Sequence, residues 1–324
     1  MVIINDQKKS IKEMKVSIGL PVYNGGKFIR KKLDSLLEQT FSNFEIIISD
    51  NNSTDLTHKI CKEYASKDKR IRYFQQNENI GGWKNFGFVL QKAKYEYFLW
   101  TAVDDIILPQ FLEETLKILE SDKKIVASTS TMKLYGKRTS ELQTNTSNRW
   151  IIKKIKKISL NFGYMNMFSA TGTYENRIKE YFKNIRHNQV FYSVFRTEQI
   201  KQSFVKNEAL WSDACTIFNI LKFGELFVID KMLMSVYDGG QSRSGMLGVT
   251  KQNHYNVIKT IFPMSPFTKW CIQNMGKKIF FQNTSFFIRI NYSGFIIFFL
   301  DLIKYFKLKN HEKNIYFEKD LLPK

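Results

Sequence analysis

Two adjacent carboxylates, Asp104 and Asp105, close the aromatic run Tyr95-Glu96-Tyr97-Phe98-Leu99-Trp100-Thr101-Ala102-Val103, and Pro109 follows shortly after. A strand that runs into paired acids delivers concentrated negative charge to the rim of a sheet. Carboxylates held there bind a hard divalent cation, and the cation holds a diphosphate. The same pair would also serve as a turn in which an aspartate caps a helix starting near Gln110. What decides between the two is the company the pair keeps at neighbouring strand ends.

Hydrophobic periodicity supplies the elements that position these acids. Short apolar runs predict strands over residues 16–20, 44–48, 71–74, 95–100 and 125–130. Between them, Phe28, Ile29, Leu33, Leu36 and Leu37 recur at helical spacing, and Ser53-Thr54-Asp55 offers a polar start for a second helix. Gly81-Gly82 opens a third helix, and residues 111–119 read as a fourth. Strand and helix in alternation predict an α/β fold with a mostly parallel, Rossmann-like sheet flanked by helices. Ligands in such sheets bind beyond the carboxyl ends of the strands. The residues at those ends are Pro21-Val22-Tyr23-Asn24, Asp50-Asn51-Asn52-Ser53-Thr54-Asp55, Asn79-Ile80-Gly81-Gly82 and Asp104-Asp105. Further along, residues 190–195, 226–229 and 232–236 read as strands and residues 212–223 as a helix.

The runs Val16-Ser17-Ile18-Gly19-Leu20-Pro21-Val22-Tyr23-Asn24, Gln39-Thr40-Phe41, Ser49-Asp50-Asn51-Asn52-Ser53-Thr54-Asp55, Asn79-Ile80-Gly81 and residues 100–109 together resemble family 2 glycosyltransferases of the GT-A fold. The resemblance extends to about Ser242. It implies a nucleotide-sugar donor, with a UDP-sugar favoured, a divalent cation (Mg2+ or Mn2+) and inversion at the anomeric carbon. It places Pro21, Val22, Tyr23, Asn24, Asn52, Gly81 and Gly82 around the nucleotide, with Asp50 accepting a hydrogen bond from the base. Asp104 aligns with the metal-binding acid of the family, and Asp105 beside it helps through a water or holds the loop. The chain departs from the pattern at Ala102, where relatives often carry a further acid. It departs again at Asp238, where relatives often carry a histidine. Asp238 is either an oxygen ligand for the metal or a turn former before Gly239-Gly240.

An inverting transfer needs one general base on the face of the sugar opposite the diphosphate. The family places its catalytic acid at the start of a helix, which selects Asp213 in Trp211-Ser212-Asp213-Ala214, with Glu208 in reserve. Asp213 would otherwise only favour the helix N-terminus electrostatically. Arg186, His187 and Arg196 are candidates for contacts with the phosphates or the acceptor, and Trp83 and Trp211 for stacking on a sugar or for core packing. The acceptor implied is a glycan or lipid-linked glycan of cell-surface polysaccharide synthesis.

The chain has 324 residues and a formal net charge of +20, which admits a polyphosphate ligand, anionic lipid or nucleic acid. Neither a nucleic-acid-binding motif nor a Rossmann or P-loop glycine pattern occurs, and the lysines are scattered, so no specific nucleic acid is expected. A nucleotidyltransferase is the nearest alternative enzyme, yet its Gly-rich basic loop is replaced here by Pro21-Val22-Tyr23-Asn24-Gly25-Gly26-Lys27. Three widely separated cysteines and no leader-like N-terminus point to the cytoplasm, and the C-terminal segment leaves a peripheral place on the inner face of the cell membrane open. The domain expectation is a catalytic domain over 1–245, with a nucleotide half at 14–130 and an acceptor half at 131–245. A helical extension follows over 246–324. Within it, residues 262–309 alternate apolar clusters with lysine and arginine. That stretch fits an anionic membrane surface, helices packed on the domain, or a contact in a homo-oligomer.

Overall fold

The computed structural model describes residues 13–136, 164–165, 167–185, 188–206, 211–237 and 261–319. The chain divides into two compact units, Met1–Lys206 with Thr216–Gly240, and Asn207–Cys215 with Gln241–Lys324.

The first half of the sheet alternates strand and helix in chain order: β1 (Val16–Val22), α1 (Ile29–Leu37), β2 (Phe44–Asp50), α2 (Thr57–Lys67), β3 (Ile71–Gln75), α3 (Gly82–Gln91) and β4 (Tyr97–Trp100). Then come β5 (Ile106–Ile107), α4 (Phe111–Ser121), β6 (Ile125–Tyr135), β7 (Tyr164–Met165), α5 (Tyr174–Asn184), β8 (Val194–Arg196), α6 (Thr197–Ser203), α7 (Ser212–Ile220) and β9 (Glu225–Tyr237). The sheet order is β3-β2-β1-β4-β8-β6-β9-β5, with β7 paired to β6. The β3-β2-β1-β4 block is parallel throughout, as the alternation predicts. Helices cover both faces of that block, so every residue of β2 and β4 is buried.

The other half is mixed. The strand β8 runs antiparallel between β4 and β6, and β5 runs antiparallel to β9. The stretch 190–195, expected to be a strand throughout, begins as a 3-10 turn at Asn188–Tyr192 and leaves only Val194–Arg196 extended. The two strands expected at 226–229 and 232–236 are one strand, β9. The exposed pair Asp230-Lys231 lies within it, beside a register shift against Thr131 of β6. A polar pair flanked by apolar residues imitates a turn in sequence, and the ladder to β6 overrides it.

Close approach explains one glycine. A Cβ at Gly19 in β1 would come within 2.7 Å of a Val89 methyl on α3 and 2.8 Å of the Phe98 ring on β4. Trp83 of α3 stacks on Phe204 at 4.7 Å and Trp100 of β4 on Phe191 at 4.5 Å.

In the second unit, α8 (Ser265–Met275), α9 (Lys277–Gln282) and α10 (Thr284–Lys319) form the helical extension. Phe262 stacks on Phe295 at 5.6 Å, and Asn291 Nδ2 donates to Thr268 Oγ1 at 2.8 Å. Among the described residues no helix is long and apolar enough to cross a membrane.

Candidate functional site

The carboxyl ends of β1, β2 and β4 lie side by side, with Val22 opposite Asp50 and Gly19 opposite Trp100. Their loops are tied to one another by side chains. Asn24, held at a positive φ of 49°, accepts the Thr54 N–H on its Oδ1 at 2.8 Å, and its own N–H donates to Ser53 Oγ at 2.9 Å. Asp55 Oδ2 accepts the Gly26 N–H at 2.9 Å, and its Oδ1 accepts the Thr57 N–H at 3.0 Å. The predicted polar start of α2 thus works from outside the helix, because Leu56 holds the capping position and supplies no side-chain bond.

Asp50 is fully buried. Its Oδ1 accepts the Ser53 N–H and its Oδ2 the Tyr73 hydroxyl, both at 2.9 Å. Tyr73 has given its only proton, so His58 Nδ1, 2.8 Å from that hydroxyl, must carry hydrogen and donate. Burial and the bond to Asp50 push the Tyr73 pKa up. A carboxylate takes about four hydrogen bonds, so acceptor capacity remains on Asp50. Asn51 bridges to the next loop: its Nδ2 donates to Asn79 Oδ1 at 2.8 Å and its Oδ1 accepts the Ile80 N–H at 2.9 Å. Gly81 stands at φ 88° before α3, which favours glycine, and a Cβ on exposed Gly82 would meet nothing within 4 Å. Tyr23 and Asn52 are exposed, Pro21 is half-buried and Val22 is buried.

After β4 the chain turns through Ala102 to Asp104 and Asp105, and it is held from three sides. Asp105 is buried, and its Oδ1 accepts the Tyr237 N–H at the end of β9 at 3.0 Å. The Asp104 carbonyl accepts the Tyr135 hydroxyl at the end of β6. From α1, the buried Lys32 Nζ donates to the Asp105 carbonyl at 3.1 Å. Gln39, two residues beyond α1, donates from Nε2 to the Leu108 carbonyl at 2.8 Å and accepts the Leu112 N–H at 3.1 Å.

Burial raises the pKa of Asp104 and of Asp105, with Lys32 opposing both shifts. Burial lowers that of Lys32, and the two acids oppose it. The Asp104 side chain is half-buried, and Gln110, not Asp104 or Asp105, holds the capping position of α4.

Sequence reasoning missed Lys32, Tyr135 and Tyr237. Lys32 had a signal: it falls four residues after Phe28 and four before Leu36, on the inward face of α1. Arg196 is corrected. It pairs with Tyr97 at the amino end of β4, away from Asp104, and binds the Ile125 and Leu119 carbonyls. Trp83 is half-buried and engaged in packing, its ring on Phe204 and its Nε1 donating to the Val205 carbonyl at 2.7 Å.

Asp213 stands in the first turn of α7, half-buried, its Oδ1 accepting the Ala214 N–H at 2.9 Å. Trp211 packs against Phe267 at 5.0 Å. Arg186, His187, Glu208 and Asp238 lie outside the described residues.

Among the described residues no three His, Cys, Asp or Glu side chains converge as a metal cage. One half-buried carboxylate, Asp104, fits a cation that shares its coordination with substrate phosphates, the usual arrangement for Mg2+.

An uncharacterised glycosyltransferase of Rickettsia typhi is 38% identical over 104 residues, 32% of this chain and 31% of the relative. The aligned part thus spans about a third of that relative's length. Among solved structures, Staphylococcus aureus TarS 1-349 in complex with UDP-GlcNAc superposes with a TM-score of 0.53 at 17% identity, over 81% of this chain and 73% of that one. The mannosyltransferase PcManGT from Pyrobaculum calidifontis, in complex with GDP-Man and Mn2+, gives 0.54 at 13% identity, over 90% and 74%. These likenesses show the GT-A fold that the strand-end motifs imply. The sequence profile described as Glycosyl transferase family 2 matches residues 17–203, more than half of the chain, and the chain belongs to that family.

Proposed function

We propose that the protein transfers a sugar from a nucleotide-sugar donor, a UDP-sugar first, to a hydroxyl of a glycan or lipid-linked glycan, with inversion. The observation that carries the reading is the linked row of strand-end loops, in which Tyr23, Asn24, Asn52 and Gly82 are exposed and a Cβ at Gly25 would come within 3.0 Å of Val103, next to the half-buried Asp104. Tyr23, Asn24, Asn52 and Gly81-Gly82 bound the nucleoside, and Asp50 uses its remaining acceptor capacity on a base N–H. That TarS was solved with UDP-GlcNAc and PcManGT with GDP-Man and Mn2+ supports a nucleotide-sugar donor and a divalent cation.

In this reading Asp104 holds the cation together with the diphosphate, while Asp105 keeps the loop in place. A bound Mg2+ or Mn2+ supplies neutralisation of the leaving diphosphate. Asp213 takes the acceptor proton as the acceptor oxygen attacks the anomeric carbon. The proton moves to its carboxylate, the bond to the diphosphate breaks, and the nucleoside diphosphate leaves. Cell-surface polysaccharide is the product class that suits such an acceptor.

A panel of UDP- and GDP-sugars, each with Mn2+ and with EDTA, tests this by thermal stabilisation and by product analysis. The expected result is stabilisation by a subset of donors and release of a nucleoside diphosphate. Release of pyrophosphate from a nucleoside triphosphate would make the chain a nucleotidyltransferase. Absence of a shift with every donor would overturn the reading.

A further inference from the structure

One face of α10 is already occupied. Phe287 and Phe298 are buried, and a Cβ at Gly294 would come within 2.8 Å of Met264. A helix docked this way should present polar residues on its other side. Here it does not. Ile288, Tyr292, Ile296, Phe299, Leu300 and Ile303 are all exposed, from 38% at Ile296 to 65% at Ile288. At helical geometry these six fall within an arc of roughly 120° and run along about 22 Å of the helix. Among the described residues no helix is long and apolar enough to cross a membrane, which leaves an arc of this kind to lie along a surface.

We infer that this arc is a docking surface for an anionic lipid bilayer. Charge selects the occupant. Residues 262–309 contain one acid, Asp301, against seven lysine or arginine residues, and the whole chain carries +20. A second copy would bring the same positive charge against itself, whereas anionic headgroups attract it. Arg289 falls within the arc by helical phase, and Lys277 and Lys278 at the start of α9 are exposed. Tyr292 is an aromatic ring of the kind that settles at headgroup depth, and Phe299 suits the apolar side of an interfacial helix. The inference needs no donor and stands apart from the transfer reaction.

The test is flotation of the full chain, without donor, on phosphatidylcholine vesicles with and without phosphatidylglycerol. The native chain is expected to float with the anionic vesicles and to be released by high salt. A variant carrying Ile288→Ser, Ile296→Ser and Leu300→Ser, all at exposed positions, should lose at least tenfold in bound fraction. Phe223→Ser, at an exposed apolar position of the other unit, should bind as the native chain does. Circular dichroism confirms that each variant is folded, and Lys277→Glu with Lys278→Glu, which leaves the helix face intact, reads the electrostatic part separately. Equal flotation of native and triple variant, or no flotation of the native chain, would overturn the inference. So would a vesicle-free dimer that the triple variant dissociates, which would assign the arc to a second copy.

Discussion

Lys32 Nζ donates to the backbone carbonyl of Asp105 at 3.1 Å, and the two residues are only 1% and 4% exposed. A buried ammonium under a turn that carries two carboxylates is an electrostatic support. It partly offsets the repulsion between Asp104 and Asp105, although the burial of the ammonium itself outweighs that attraction and lowers its pKa. Lys32→Met removes the donor to the buried Asp105 carbonyl, and leaving that acceptor unpaired should lower unfolding stability by about 1–3 kcal/mol at neutral pH, measured by urea titration.

The same lysine predicts a pH signature. Its pKa is lowered in the folded chain by burial, so at alkaline pH the folded state releases the proton before the unfolded state does. The unfolded state then binds more protons, and stability rises with pH. The contribution sets in as pH passes the lowered Lys32 value and is complete at the ordinary lysine value. Lys32→Met lacks this rise, so the gap between native and variant should widen across that window. A gap that stays constant would show that the ammonium is not the titrating group.

Asp104→Asn removes the carboxylate proposed to hold the cation and keeps its shape. The Mn2+-dependent part of thermal stabilisation by UDP should disappear, while stabilisation by UDP in EDTA persists. Turnover should fall by roughly 10²-fold or more, since neutralisation of the leaving group contributes several kcal/mol. An unchanged Mn2+ response would move the cation away from Asp104.

For Asp213→Asn the expectation is the opposite split. Loss of a general base costs about 10²–10⁴-fold in rate. Donor affinity, read by calorimetry, should remain within a few-fold. Native turnover would remove Asp213 from the mechanism and return attention to Glu208.

Asn24→Ala tests the link between the β1 and β2 loops. It deletes the acceptor for Thr54 N–H and leaves a non-glycine residue at positive φ without local support. A loss of about 1–2 kcal/mol in stability is expected, with weaker nucleotide binding. Asn24→Gly, which tolerates the backbone, should recover part of the stability and not the hydrogen bond.

Much of the first half was legible because its signals are local. Apolar runs marked β1 to β4, and the polar residues that end them marked the rim. What escaped was set by partners far away in sequence. Three residues of β8 carry too little pattern to reveal an antiparallel insertion between β4 and β6. Lys32 was hidden by its type: lysine is read as solvent-facing, and only the phase of Phe28, Leu33 and Leu36 turns it inward. Asp105 could be placed beside Asp104, but its bond to Tyr237 spans 132 residues.

The segment from Thr101 to Leu112 is fastened to α1 through Lys32 at Asp105, and to the residue two places beyond α1, Gln39, at Leu108 and Leu112. Transplanting that segment alone between relatives would sever these bonds. The unit of exchange is the segment together with α1, so divergence in this region should proceed by paired changes rather than by free substitution of an isolated loop.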